Sequence, residues 1–171
     1  MPSRVLVLDT SVLCCWLKIP GKETAGPKDD LWNHDRIAQL LKDEEALGST
    51  FVLPIASLIE TGNHIANCMG DRFTLATTLG THLRSAANAT DPWATFSDQS
   101  PLWEQSGLLH LADTWPPLAA ARMSIGDATI KAVAEYYAVA GMHVQILTGD
   151  EGLRAYQPSS PVAVPRRRPR S

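Results

Sequence analysis

The stretch Arg4-Val5-Leu6-Val7-Leu8-Asp9-Thr10-Ser11 constrains the fold more than any other part of the chain. Four consecutive apolar residues, two of them β-branched, predict a strand buried on both faces, as in the middle of a parallel sheet. The run stops on a carboxylate followed by two hydroxyls. Ligands of open α/β sheets sit beyond the carboxyl ends of the strands, which aims Asp9 at a functional crevice. Asp and Ser are also favoured N-caps, so Asp9 or Ser11 equally suits the cap of a short helix over residues 12–17. This stretch alone leaves both roles open.

Further along, apolar strands and amphipathic helices alternate. Residues 19–30, rich in Gly, Pro and Lys, read as an exposed loop, and residues 31–47 as a helix with Ile37, Leu40, Leu41 and Leu47 as its apolar stripe. Residues 50–53 form a second strand ended by Pro54, a residue tolerated in the first turn of a helix. On the helix expected over residues 55–69, Ile55, Leu58, Ile59, Gly62, Ile65, Ala66 and Met69 share one face and Ala56, Glu60, Asn63 and Asn67 the adjoining row. Residues 71–87 predict another helix. Residues 88–105, with Asp-Pro, Ser-Pro and two tryptophans, read as a long loop, of the kind that often carries specificity.

Residues 108–111 read as a third short strand, and Pro116-Pro117 as the opening of a helical turn. Residues 125–140 are amphipathic, with Ile125, Ala128, Ala132, Val133, Tyr136 and Ala140 inward and Gly141 as the stop. Residues 143–147 give a fourth strand and residues 161–165 a brief edge strand. The alternation predicts a three-layer α/β/α sandwich around a mostly parallel sheet of four or five strands. Residues 1–157 make up the domain and 158–171 a Pro/Arg-rich tail.

A chain of 171 residues can bury a substantial core. No apolar run approaches the roughly 20 residues that span a bilayer, and the N-terminus lacks a signal-peptide pattern, so a cytoplasmic protein with no membrane partner is expected. Cys14, Cys15 and Cys68 are odd in number and lack C-x-x-C spacing, which points to buried free thiols. Net charge is −3, but Arg166, Arg167, Arg168 and Arg170 crowd the end of the chain; the remainder holds 11 basic and 18 acidic residues, a net −7. A body so acidic is a poor attractor of nucleic acid unless metal ions or the tail offset the repulsion.

Three further carboxylates share the placement of Asp9. Glu60 lies early in the helix after the second strand, Asp127 in the first turn of the late amphipathic helix, and Asp150 just after the last strand. Each suits a local role as well. Ser57-x-x-Glu60, Ser124-x-x-Asp127 and Thr148-x-x-Glu151 have capping-box spacing, and Asp150 suits the cap of a short helix reaching Tyr156. Yet α/β topology draws all four acids toward one edge of the sheet. Four carboxylates in one crevice raise one another's pKa values unless a cation compensates. Oxygen-only ligands select Mg²⁺ or Mn²⁺ over zinc, and such ions activate water for attack on a phosphodiester.

Leu8-Asp9-Thr10-Ser11-Val12-Leu13, Ser57-Leu58-Ile59-Glu60, Gly126-Asp127-Ala128-Thr129-Ile130 and Leu147-Thr148-Gly149-Asp150 together resemble the motifs of PIN-domain ribonucleases, of the VapC-like kind that act as toxins in VapBC toxin–antitoxin pairs. The resemblance spans roughly residues 4–156. It implies a PIN-like fold and a Mg²⁺- or Mn²⁺-dependent endoribonuclease. Asp9, Glu60, Asp127 and Asp150 would be its catalytic metal ligands, and Ser11 and Thr148 supporting hydroxyls. It further implies an RNA substrate, an antitoxin partner and a homodimer. The sequence departs from the family in two ways: residues 19–30 and 88–105 are longer than a compact toxin of this type needs, and Gly152 and Leu153 follow Glu151 where the family often has an aromatic residue, a place Tyr156 would have to fill instead.

Other phosphate chemistries lack their residues: there is no G-x-x-x-x-G-K-[ST], no G-x-G-x-x-G, and no second Asp two positions after Asp9. His64, one turn after Glu60, reads as a packing or solvated histidine that lies within reach of the site, and Lys131 as an ion-pair partner of Asp127 or Glu135. A PIN-like nuclease acting on DNA or in anti-phage defence, and a non-catalytic scaffold, are the alternatives. The Arg-rich tail is expected to contact RNA or a partner.

Overall fold

In the computed structural model, which describes residues 3–160, Val5–Leu8 forms β1 with all four side chains buried, and Asp9 caps α1 (Thr10–Trp16). The chain continues through β2 (Thr24–Ala25), β3 (Trp32–Asn33), α2 (His34–Ala46), β4 (Thr50–Val52), α3 (Ile55–Asn67) and α4 (Arg72–Ala87). It ends through α5 (Ser100–Trp103), α6 (Gln105–Ala120), α7 (Ile125–Val139), β5 (Val144–Leu147) and α8 (Glu151–Arg154). No helix of the described residues is long and apolar enough to cross a membrane.

The main sheet is wholly parallel, in the order β4-β1-β5, with Val5 level with Thr50 on one side and Val144 on the other. The period-2 alternation of a strand then sorts the core into two layers. Leu6 and Leu8 pack with Val12 and Leu13 of α1 and Ile37 and Leu41 of α2, while Val5 and Val7 pack with Ile130, Val133, Ala134 and Tyr137 of α7. A third cluster, Cys14, Leu17, Ile19, Ile65, Cys68 and Leu79, joins α1 to α3 and α4.

The fold is α/β as expected, but among the described residues the main sheet has three strands and not four or five. Residues 108–111 lie inside α6, and Pro116-Pro117 are interior to that helix instead of opening one. Three leucines within four residues fit a strand and a helical turn alike, and here they lie on a helix with no buried residue. Residues 19–30 are not a plain loop: β2 and β3 pair as a separate antiparallel hairpin. Residues 88–105 hold a 3₁₀ turn (Phe96–Gln99) and α5, and Trp93 bridges in parallel to Phe51. The edge strand expected at residues 161–165, like the tail arginines, lies outside the described residues.

Three helical faces differ from expectation. Leu47 is an exposed C-cap, and α3 turns Ser57, Thr61 and Ile65 inward while Ile59 and Met69 face solvent. Small hydroxyl side chains at i and i+4 let α3 approach α1 closely, which a larger apolar stripe would prevent. On α7 the buried ring is Tyr137, whose hydroxyl donates to Asp98 at 2.8 Å, whereas Ile125, Tyr136 and Ala140 are exposed. The three cysteines are free and buried.

Arg4, at the entry to β1, ties three elements together. It ion-pairs with buried Glu44 of α2, its Nη1 donates to Gln145 of β5 at 2.6 Å, and its backbone N–H donates to Ser49 at 3.0 Å. The Ser49 hydroxyl in turn donates to Glu44 at 2.6 Å. The Arg4 guanidinium, helped by that hydroxyl, holds the Glu44 carboxyl below its ordinary value of 4.5. Such a group stabilises the fold above its unfolded pKa and loses that contribution as pH falls through the depressed folded value. Glu44→Gln should therefore cost about 1–3 kcal/mol at pH 7, below the full value of a buried pair because Arg4 is one-third exposed. The difference should vanish in urea titrations repeated well below pH 4.5.

The outer edge of β5 is covered by a side chain. Gln157 accepts from the Ile146 N–H at 2.8 Å and donates to its carbonyl at 2.7 Å, imitating a paired strand.

Candidate functional site

The C-terminal ends of β1 and β5 lie side by side, and the Asp9 carboxylate after β1 is hydrogen-bonded through two hydroxyls to the turn after β5. Asp9 is 4% exposed. Its Oδ2 accepts from the Ser11 hydroxyl at 2.6 Å and from the Thr148 hydroxyl at 2.7 Å. Each hydroxyl is itself fixed by a backbone N–H from the turn after β5: Gly149 donates to Ser11 Oγ and Asp150 to Thr148 Oγ1, both at 2.9 Å. Ser11 and Thr148, expected as supporting residues, thus act as two parallel bridges between the strand ends. Asp9 also takes the capping role, since its Oδ2 accepts from the Ser11 N–H at 3.3 Å. Cap and site are therefore one position.

The other two acids come from the helices that flank this edge. Glu60 sits on α3, where Thr10, at the start of α1, donates to its Oε2 at 2.8 Å. The start of α7 lies close by, with Gly126 against Glu60 Oε1, which places the carboxylate near the positive end of that helix. Asp127 shares the N-cap of α7 with Ser124, its N–H donating to Ser124 Oγ at 3.0 Å and the Ser124 hydroxyl donating to its Oδ2 at 2.8 Å.

The capping boxes are realised unevenly. Ser57 is buried inside α3, whose N-cap is Pro54, and its hydroxyl has no partner, so the Ser57–Glu60 box does not form. The Thr148–Glu151 box is replaced by Asp150, which accepts from the Leu153 N–H at 3.1 Å and caps α8. Freed from that role, the Thr148 hydroxyl serves Asp9.

All four acids line one cavity of about 340 Å³, with Thr10, Ser11, Cys14, Lys22, Thr24, Ala25, His64 and Ser124 on its other walls. Burial pushes the Asp9 carboxyl above its ordinary 3.8, against the lowering pull of the Ser11 and Thr148 hydroxyls. Burial also raises Asp127, and the negative charges of Asp9 and Asp150 add to the rise. Asp127 thus feels the charges at both strand ends. The four acids do not converge further: among the described residues no three His, Cys, Asp or Glu side chains gather closely enough to grip a single ion. Each acid is drawn toward its own hydroxyl or N–H, which is where mutually repelling charges settle.

The donor set nonetheless fits a hard divalent cation. It consists of carboxylate and hydroxyl oxygens, and the one sulfur on the wall is unavailable as thiolate because burial pushes the Cys14 thiol up to about 12.

Comparisons with protein-family models, curated protein sequences and solved structures gave no match. The site therefore has to be read from its own chemistry. A larger cavity, about 640 Å³, runs along the outer edge of β5 past Arg4, Arg36 and Arg154. Its arginines are committed to structure, Arg4 to Glu44 and the other two to Asp30. Lys131 pairs with Glu135, one of its two expected partners, and does not meet the acids. The site draws on β1, α1, α3, α7 and β5 together.

Sequence reading missed Thr10, Ser124, Lys22 and Thr24 as wall residues. Thr10 was named only as part of the motif after Asp9, and its contact with Glu60 spans 50 residues of the chain. Lys22 and Thr24 had no signal, because the hairpin and the segment that leads into it are ordered by tertiary contacts.

Proposed function

We propose that this chain is a metal-dependent endoribonuclease of the PIN type, acting on single-stranded or looped RNA. The observation that carries the reading is the single cavity lined by Asp9, Glu60, Asp127 and Asp150 at the carboxyl edge of a parallel sheet, with Asp127 raised by burial and, to a lesser degree, by the charges of Asp9 and Asp150. These four residues would hold Mg²⁺ or Mn²⁺. When bound, the cation supplies an activated water and offsets the charge developing on the phosphodiester.

The chain's own residues do the rest. Ser11 and Thr148 hold Asp9 against rotation, Thr10 holds Glu60 and Ser124 holds Asp127, so the oxygens are presented from rigid strand ends and helix starts. No serine, cysteine or histidine is required as a nucleophile, and the protonated Cys14 is unsuited to that role. Arg166, Arg167, Arg168 and Arg170 offer phosphate or partner contacts to a body that is otherwise net negative. A nuclease of this kind needs restraint in its host, which favours a toxin held by an antitoxin protein, and a homodimer as the working form.

Incubating the purified chain with end-labelled single-stranded RNA and DNA in Mg²⁺, in Mn²⁺ and in EDTA tests the reading. Cleavage of RNA that stops in EDTA is the expected result. Cleavage of DNA alone moves the substrate, and cleavage that persists in EDTA overturns the mechanism. If expression of the wild type and of an acid-to-amide variant affects growth equally, the toxin role fails while the nuclease reading stands.

A further inference from the structure

The hairpin formed by β2 and β3 stands over the turn after β5. A Cβ on Gly149 would lie 2.6 Å from the Ala25 Cβ, and buried Trp32 donates its indole N–H to the Thr148 carbonyl at 3.1 Å. Asp30, at the base of β3, bridges Arg36 at 2.8 Å and Arg154 at 2.6 Å, and Arg154 donates to the same Thr148 carbonyl at 3.0 Å. The approach to the hairpin is anchored as well: Ile19 is fully buried, and Pro20 packs so tightly on Gly70 that a Cβ there would lie 2.6 Å from it. Between these two anchors the Lys22 N–H donates to the Ile19 carbonyl at 2.8 Å, and Lys22 and Thr24 form one wall of the acidic cavity.

Lys22 thus faces the carboxylates from a braced backbone, yet it forms no ion pair among the described residues. A lysine kept only to neutralise the acids would sit against one of them. Its ammonium is a compact point charge with three donors, suited to a phosphate oxygen. Resting on the nuclease reading above, we propose that Lys22 is a positioning contact to an RNA phosphate, held beside the acids by the braced segment that leads into the β2–β3 hairpin.

Initial rates of cleavage of a fluorescent single-stranded RNA oligonucleotide in Mg²⁺, over a salt series, provide the test. Lys22→Gln should raise KM about tenfold, the loss of one charged hydrogen bond, with kcat changed less than about threefold. It should also flatten the slope of log KM against log salt by about 0.7, one phosphate contact on a single strand. Lys22→Arg should restore both. The side chain is exposed, so an unchanged melting temperature confirms that each variant folds. Wild-type KM and slope in Lys22→Gln would overturn this assignment alone. A wild type that leaves the RNA uncut overturns the nuclease reading and this one with it.

Discussion

Asp127→Asn is expected to lower RNA cleavage in Mg²⁺ by roughly a thousandfold, about 4 kcal/mol of transition-state stabilisation. The substitution is isosteric and spares the local fold. The backbone N–H of residue 127 still donates to Ser124 Oγ, and the Ser124 hydroxyl can still donate to the amide oxygen, so the α7 cap survives. What is lost is a charge on the wall of the acidic cavity, in a place where burial and two other acids already oppose it. Asp9→Asn should match this loss but also disturb its bridges. Its Oδ2 accepts from two hydroxyls and a backbone N–H, and an amide placed there can turn its NH₂ toward those donors. Single-turnover cleavage with matched circular dichroism separates the two cases. Undiminished cleavage by folded Asp127→Asn would remove the acids from the mechanism.

The second large effect concerns stability. Asp127 has a folded pKa above its ordinary 3.8, so the folded state binds a proton that the unfolded state has released. The resulting stabilisation is complete below the unfolded value and is lost as pH rises through the folded one. At neutral pH the charged Asp127 therefore weighs against the metal-free fold, and Asp127→Asn should melt higher than wild type in EDTA. At pH 3 the advantage should disappear. Adding Mg²⁺ or Mn²⁺ should reverse the order. At a cation concentration ~100 times Kd, linkage stabilises the wild type by about 2.7 kcal/mol, a shift of roughly 5–11 °C for a domain of this size. Asp127→Asn should gain only a fraction of that. Equal metal-induced shifts in the two proteins, read by calorimetry, would show that the acids do not form a shared site.

The parts of this fold that were legible from sequence are those whose pattern has one physical reading. Val5–Leu8 is an unbroken apolar run ended by a carboxylate, and Val144–Leu147, broken only by Gln145, is ended by a hydroxyl; both patterns suit the strands of a parallel sheet. The start of α7 and its Gly141 stop, where φ is +84°, were equally plain. Where burial runs against polarity the reading failed. Ser57 and Thr61 lie in the core of α3, so a stripe drawn through its apolar residues pointed Ile59 and Met69 the wrong way. Leu108 to Leu111 has the length of a strand, and nothing local says that it continues into a sixteen-residue helix. The acids of the cavity were found, but Lys22 was not, because its position depends on Trp32 reaching Thr148, a contact 116 residues apart in the chain.

The bridges at Asp9 also set an order of events during synthesis. The Thr148 hydroxyl that fixes Asp9 lies 139 residues downstream of it. A nascent chain that has exposed β1, α1 and α3 on the ribosome carries Asp9 and Glu60 but has neither the β5 partner nor the turn that completes their cavity. The carboxylates are assembled only when residues 144–150 emerge and insert beside β1. On the proposed nuclease reading, the site that would cut RNA is therefore absent while the earlier segments are being made on the ribosome, itself made of RNA.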